Sequence, residues 1–362
     1  MDWFLKNIFG TYKGNYGFAD GELYIGELNE NIHIEVSYCS IGAMHEKAKV
    51  ATVSETDIEF FLDLNDVDYL VHLECGEGEL VGSYRIINQE IPLHFTKVSN
   101  AYEFSEPYGV IPQQHIEVLR KNHSYERKQP AVKIIYELNN QDTLNFLCEI
   151  GIETENKHDF STVKELLRQF SAKIHQDGVN YTHCKEHGTI AQIKHALSQN
   201  SFTNCRGMAI IFSGILRAYG FKSSYVTCLP YSQSDEECHV VCEVYIEELD
   251  KFIFIDPSTQ VCLMKNDEVL NLLEIREYIR NNENISCYRG TPNIVESFDL
   301  IGYLGYFSKN IFQFVKCINN CEEKESTEDN SICFVPIEYR EIVKDKYKYK
   351  VISSNINDFY QY

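Results

Sequence analysis

The segment from Thr203 to Gly220 constrains the fold most, because its pattern is that of a helix that is apolar on nearly every side. Such a helix must lie inside a domain core, with other elements packed around it. Thr203 or Asn204 is expected to cap its start, and Gly220 is placed to end it in a left-handed conformation. The apolar residues that recur at helical spacing are Met208, Ile211, Phe212, Ile215, Leu216 and Tyr219.

Cys205 falls in the first turn of this predicted helix, where unpaired backbone N–H groups and the positive end of the helix dipole favour a thiolate. Two predicted strands follow it. The first begins close to His239, 34 residues after the cysteine, and the second ends at Asp256, 17 residues later, just before Pro257. A cysteine, a base that takes its proton and an acid that orients the base are the parts of an activated nucleophile. Asp256 is expected to accept the Nδ1 hydrogen of His239.

The segment HVVCEVYIEELDKFIFIDPS, residues 239–258, resembles the histidine strand, short turn and Asp-Pro strand of the transglutaminase-like superfamily, which shares its core with papain-like cysteine proteases. LLEIREYIRNN, residues 272–282, resembles the arginine-containing helix that often follows in that family. The resemblance covers roughly residues 159–284. It implies an α+β fold with Cys205, His239 and Asp256 as the catalytic triad.

The implied chemistry is attack of Cys205 on an amide or ester carbonyl, with His239 as base and then acid and with a thioester acyl-enzyme as intermediate. The Cys205 N–H and one upstream donor would hold the oxyanion. The candidates for the upstream donor are Gln192, Asn200 and Asn204. This mechanism requires no metal and no organic cofactor.

Three functions stay open on the sequence. The first is a cysteine hydrolase of peptide or amide bonds with a peptide or protein substrate, and the second is an acyltransferase that passes the acyl group to an amine. The third is a binding module with a relic site. It is suggested by Thr203, where the family usually has glycine, and by Val241, where it usually has tryptophan.

The N-terminal region, residues 1–105, shows short alternating strands joined by tight turns. This pattern predicts a small antiparallel β-barrel or meander. A first hairpin is expected from residues 21–28 and 32–38. The last hairpin, residues 78–98, resembles that of small lipocalin-like barrels found in front of some bacterial hydrolases. A structural role for this region is favoured over binding of a small ligand.

The remaining chain is divided into a connection at residues 106–158, a catalytic core at 159–290 and a C-terminal part at 291–362 that packs on the core. Within the connection, TLNFLCEIGIE, residues 143–153, is interpreted as a strand. Within the C-terminal part, residues 298–317 are predicted to form one amphipathic helix. Helices followed by antiparallel strands define the predicted α+β class.

Composition excludes several functions. The 54 acidic against 33 basic residues give a net charge of −21, which argues against nucleic acid and anionic membrane surfaces as partners. The chain has no apolar run of membrane-spanning length and no signal-peptide pattern at its start, so a cytoplasmic location with free thiols is expected for its 13 cysteines. Cys238 and Cys242 lie about 13 Å apart on a strand, too far to hold one zinc ion. The sequence does not indicate the oligomeric state.

Overall fold

The computed structural model describes residues 7–16, 19–28, 31–38, 43–54, 56–64, 67–86, 89–100, 111–155, 157–177, 181–232, 237–289, 300–322, 329–346 and 349–361. The chain forms two compact units. Unit 1 contains Met1–Ile111, Ser232–Glu237 and Ser297–Phe307, and unit 2 contains Pro112–Tyr231, Cys238–Glu296 and Ser308–Tyr362.

Unit 1 is built on a curled antiparallel sheet of nine described strands, whose order is β4-β3-β2-β1-β9-β8-β7-β6-β5. Only Ala48 separates β4 from β5 in the chain, although these two strands stand at opposite ends of the order. The sheet therefore curls, so that its two edge strands lie close enough for this single residue to connect them along the chain. The strands are β1 (Gly10–Tyr16), β2 (Ala19–Leu28), β3 (Asn31–Tyr38), β4 (Ala43–Lys47), β5 (Lys49–Val53), β6 (Asp57–Leu64), β7 (Val67–Cys75), β8 (Glu79–Ile86) and β9 (Gln89–Ser99).

The alternation of apolar and polar residues explains this sheet. Leu23 and Ile25 of β2 are buried on either side of a partly exposed residue. Leu93 and Phe95 of β9 are buried on either side of an exposed one, as expected for strands with one covered face. Strands β2 and β3 pair in the antiparallel register expected for the first hairpin, although turn residues 29 and 30 lie outside the described part. The predicted antiparallel meander is confirmed, and the lipocalin-like resemblance stays a prediction.

Unit 2 mixes helices with several small sheets, which confirms the α+β class. The described helices are α1 (Gln113–Lys121), α2 (Gln141–Glu149), α3 (Phe160–Ser171), α4 (Thr189–Ser198), α5 (Cys205–Ala218), α6 (Leu272–Arg280), α7 (Leu300–Asn310), α8 (Arg340–Lys346) and α9 (Ile356–Phe359), with 3-10 turns at Glu247–Leu249 and Ile337–Tyr339.

The main sheet of unit 2 has six strands in the order β15-β14-β13-β19-β21-β22, all antiparallel except the last pair. A three-stranded sheet has the order β17-β16-β18, and the pairs β10-β20 and β11-β12 are short and parallel. The strands are β10 (Ile135–Tyr136), β11 (His175–Gln176), β12 (Phe202–Thr203), β13 (Ser223–Leu229), β14 (His239–Ile246), β15 (Lys251–Ile255), β16 (Val261–Lys265), β17 (Glu268–Val269), β18 (Ser286–Arg289), β19 (Gln313–Cys317), β20 (Asn319–Asn320), β21 (Ser331–Phe334) and β22 (Val351–Ser353).

Two predicted elements are wrong. The expected strand at residues 143–153 is mostly helix α2, whose start is capped by the Asn140 side chain accepting the Thr143 N–H at 3.0 Å. The long helix expected over residues 298–317 stops at Asn310. Its last part is strand β19, which is fixed by pairing with β13 and β21 rather than by its own periodicity.

No helix among the described residues is long and apolar enough to cross a membrane.

Candidate active site

The helix that carries Cys205 has the predicted ends. Cys205 is the first residue of α5, and the Asn204 side chain caps the helix by accepting the Gly207 N–H at 2.9 Å. The N–H groups of Cys205 and Arg206 have no acceptor within the helix, because the first turn of any helix leaves its donors free. The start of α5 thus presents donors and a positive dipole end beside the sulfur.

The other end of α5 is a Schellman motif. Gly220 has φ +87°, its N–H donates to the Arg217 carbonyl at 2.9 Å, and the Phe221 N–H donates to the Leu216 carbonyl at 3.0 Å. A Cβ at Gly220 would lie 2.7 Å from the His158 ring. Both the conformation and the space therefore require glycine, as predicted.

Close packing fixes α5 in the core. A Cβ at Gly214 would lie 1.9 Å from Oγ1 of Thr189, so this glycine allows helix α4 to approach closely. On the sheet side, Val240, Cys242 and Val244 of β14 belong to the same buried core as α5, and the Cys242 thiol donates to the Ala209 carbonyl at 3.2 Å. Cys242 is therefore a core residue, as the strand alternation indicated.

His239 is the first residue of β14 and is 6% exposed. It lies directly opposite the buried Cys228 of β13 in the strand register. Its Nε2 atom is 2.7 Å from Oδ2 of Asp256. The expectation that Asp256 would bind Nδ1 is wrong, because the orientation of the ring is set by packing that the sequence does not reveal.

Asp256 directly follows β15 and is fully buried. Its Oδ1 atom accepts the Ser258 N–H at 2.9 Å, while its backbone pairs with that of Val261. One carboxylate oxygen is thus held by the chain and the other meets the histidine. The Ser258 contact was missed in the sequence, although Asp-Pro-Ser is a typical sequence for an Asx turn.

The electrostatics of the site favour a charged histidine. Burial lowers the pKa of His239, but attraction and hydrogen bonding from Asp256, together with a hydrogen bond to the Cys205 side chain, outweigh burial and raise the pKa from 6.5 to about 10. This shift favours the protonated form of His239 at neutral pH, with the Cys205 side chain and the Asp256 carboxylate as its partners. A thiolate beside an imidazolium is the reactive form of a cysteine nucleophile.

The three candidate oxyanion donors occupy different positions. Gln192 is buried on α4, where its Nε2 donates to the Glu186 carbonyl at 2.8 Å. The side-chain oxygen of Asn204 is used as the helix cap. Asn200 is exposed in a loop with φ +57°. An amide nitrogen carries two hydrogens, so Gln192 has one beyond the hydrogen that it gives to Glu186.

The other cysteines do not form a second centre in the described part of the chain. The 12 cysteines described there are all free. The described part of the chain contains no group of three or more His, Cys, Asp or Glu side chains that could hold a metal ion.

The arginine of the helix that follows the site, Arg276, is bonded to backbone carbonyl groups of the core. Arg276 of α6 is buried, and its guanidinium donates to the carbonyls of Ile311 at 2.6 Å, Phe312 at 3.0 Å and Asn122 at 2.6 Å. It lies 4.9 Å from the Phe312 ring centroid. This residue joins α6 to two distant chain segments within unit 2.

Comparison with known proteins agrees with this geometry. Residues 151–257, which include Cys205, His239 and Asp256, match the family model of the transglutaminase-like superfamily. No curated protein matches the chain.

Two solved structures are distantly similar. A "putative cysteine protease" from Cytophaga hutchinsonii is 13% identical, with a TM-score of 0.26 and coverage of 70% of this chain and 73% of that one. The periplasmic domain of TgpA from Pseudomonas aeruginosa is 8% identical, with a TM-score of 0.24 and coverage of 76% and 92%.

Residues 151–257, which lie in unit 2, are thus the part of the chain that is similar to the transglutaminase-like superfamily.

Proposed function

We propose that the chain is a cysteine hydrolase of peptide or amide bonds. The observation that carries the proposal is the buried hydrogen bond of 2.7 Å between His239 and Asp256, beside a cysteine at the first position of a buried helix. Burying a charged pair carries a large desolvation cost in free energy. Histidines with strongly shifted pKa values beside a nucleophile are typical of active sites.

The first half of the reaction forms the thioester. In the proposed resting state the Cys205 proton already lies on His239, and the thiolate of this ion pair attacks the carbonyl carbon. The Cys205 N–H and a second donor, for which Gln192 is the preferred candidate, bind the oxyanion. As the carbon–nitrogen bond breaks, His239 gives its proton to the leaving amine, and an acyl-thioester remains on Cys205.

The second half releases the acyl group. His239, now neutral, takes a proton from water, the hydroxide attacks the thioester carbonyl, and Cys205 leaves as the thiolate beside the imidazolium. Asp256 stays ionised throughout and supports each charged state of the histidine. An amine in place of water gives the acyltransferase reaction with the same residues.

The substrate is proposed to be a peptide or protein, in a reducing compartment such as the cytoplasm, where free thiols persist. A net charge of −21 makes nucleic acid an unsuitable partner. The surface charge favours neutral or cationic peptides over acidic ones.

The test is incubation of the full chain with glutamine-containing and mixed peptides, with and without a fluorescent alkylamine, followed by mass spectrometry of protein and products. We expect an acyl adduct on Cys205 and hydrolysed peptide, both lost in Cys205→Ala. Cys148→Ser, which changes an exposed cysteine on α2, is the matched control and should behave as wild type. Coupled amine as the main product would instead favour the transferase. The absence of adduct and product would leave a binding module.

A further inference from the structure

A second group of buried polar side chains lies on the strand that carries His239. Glu243 stands four residues further along β14, on the same face by strand alternation, and is 1% exposed. Its Oε1 accepts the Tyr360 hydroxyl and the Leu272 N–H, the latter at 3.2 Å. Its Oε2 is buried and has no hydrogen-bond partner among the described residues.

Lys316 of β19 supplies the compensating charge. It is fully buried, its ammonium donates to the Phe359 carbonyl, and its Nζ lies 4.0 Å from the centroid of the Phe359 ring. Burial lowers the pKa of Lys316 to about 8, against the attraction of Glu243. Burial likewise raises the pKa of Glu243 to about 7, against the attraction of Lys316 and the Tyr360 hydrogen bond.

This group joins three segments. Through Tyr360 and Phe359 it holds the C-terminal segment of residues 355–361, which is also tied to residues 128–134 by side-chain bonds such as Asp358 Oδ1 to the Ala131 N–H at 2.5 Å. Through Leu272 it holds the first residue of α6.

The third connection reaches the active site. Strand β15, which leads into Asp256, is at the end of the six-stranded order, so only β14 pairs with it within that sheet. Its free side is held by the Phe254 N–H, which donates to the Leu270 carbonyl at 2.7 Å. Leu270 lies two residues before Leu272, whose N–H donates to Glu243. Glu243 therefore holds residues 270–272, the segment that borders β15, against β14.

We propose that Glu243 and Lys316 are positioning residues for the active site, acting through β14 and β15 to keep His239 and Asp256 in register. The inference rests on the proposed role of those two residues. It adds a requirement for a reactive Cys205. The charges of Glu243 and Lys316 must compensate each other, and residues 355–361 must be held in place by these two residues.

The chemistry of buried pairs provides the test. Removing one partner leaves an uncompensated charge in the core, whereas replacing both by neutral groups restores balance. Glu243→Gln keeps an oxygen for Tyr360 and Leu272 but removes the charge, and Lys316→Met removes the opposite one. The double variant carries neither charge.

The measurement is the rate of iodoacetamide labelling of Cys205 across pH in the folded full chain, with the thermal midpoint recorded for each variant. Displacements of about 1 Å at reacting groups cost up to roughly 100-fold. We expect each single variant to slow labelling by about tenfold or more, and the double variant to recover most of that loss. Val343→Ala, which truncates a fully buried side chain of α8, is the control for lower stability and should label as wild type.

Single variants that label as fast as wild type would overturn the inference, even if their thermal midpoints fell. A double variant no better than the singles, or equal slowing in Val343→Ala, would also overturn it. If Glu243→Gln does not fold, Tyr360→Phe removes only one hydroxyl bond and should slow labelling several-fold; no slowing counts against the inference. A wild-type Cys205 without enhanced labelling would instead overturn the proposed function, and the inference with it.

Discussion

Replacing Asp256 by alanine removes the main partner of the charged His239, and the effect on stability can be worked out from the structure. In the folded chain the pKa of His239 is about 10, against 6.5 for the ordinary group. At about 1.4 kcal/mol per pKa unit, this difference corresponds to stabilisation on the order of 5 kcal/mol. Because the folded pKa is the higher one, this stabilisation is complete below pH 6.5 and is lost as the pH rises towards 10.

In Asp256→Ala the pH dependence of the His239 contribution to stability changes sign. Burial without the carboxylate lowers the pKa of His239, so that group contributes stability only at higher pH. The assay is urea unfolding of wild type and variant between pH 6 and pH 9, under reducing conditions. We expect the difference in unfolding free energy between the two to shrink by up to about 1.4 kcal/mol for each pH unit.

The control is Asp250→Ala, which removes an exposed carboxylate bonded to the Tyr245 hydroxyl at 2.6 Å and should leave the pH dependence unchanged. A difference between wild type and Asp256→Ala that stays constant across this pH range would refute the assignment of a charged His239.

Three further predictions concern the elements that hold the site. Asn204→Ala removes the cap of α5 and should lower the unfolding free energy by about 1 kcal/mol in urea titration; turnover reduced by about 100-fold or more would instead make it an oxyanion donor. Gly214→Ala places a methyl group 1.9 Å from Thr189 Oγ1 and should cost about 1–3 kcal/mol, whereas Gly76→Ala, whose nearest contact is 3.5 Å, should cost less. Arg276→Met leaves three carbonyls without their donor and should lower the thermal midpoint by several degrees, with each lost bond costing about 1–3 kcal/mol; an unchanged midpoint would contradict its structural role.

The helix and strands that carry the candidate site residues could be predicted because each belongs to a strong local pattern. The apolar periodicity of α5, the cap at Asn204 and the glycine at position 220 are local features, and the structure contains all three. The strand alternation in unit 1 was equally informative. Residue 239 as the start of a strand and residue 256 as the end of the next also followed from local sequence.

Other features depend on distant parts of the chain. Which ring nitrogen contacts Asp256 depends on how His239 packs. Whether residues 313–317 form a strand depends on their pairing with β13 and β21. The link between Glu243 and Lys316 crosses β13, which lies between their strands. Residues 143–149 were misread because a short apolar run suits either a strand or a helix, and only the Asn140 cap favours the helix.

The most direct test of the account is the pH dependence of iodoacetamide labelling at each of the 13 cysteines, mapped by mass spectrometry in wild type and His239→Ala. The account predicts that Cys205 labels fastest near neutral pH, where His239 is charged, and that the histidine substitution removes this advantage. Labelling of Cys205 no faster than that of the other cysteines, or unchanged by loss of His239, would contradict an assembled nucleophile.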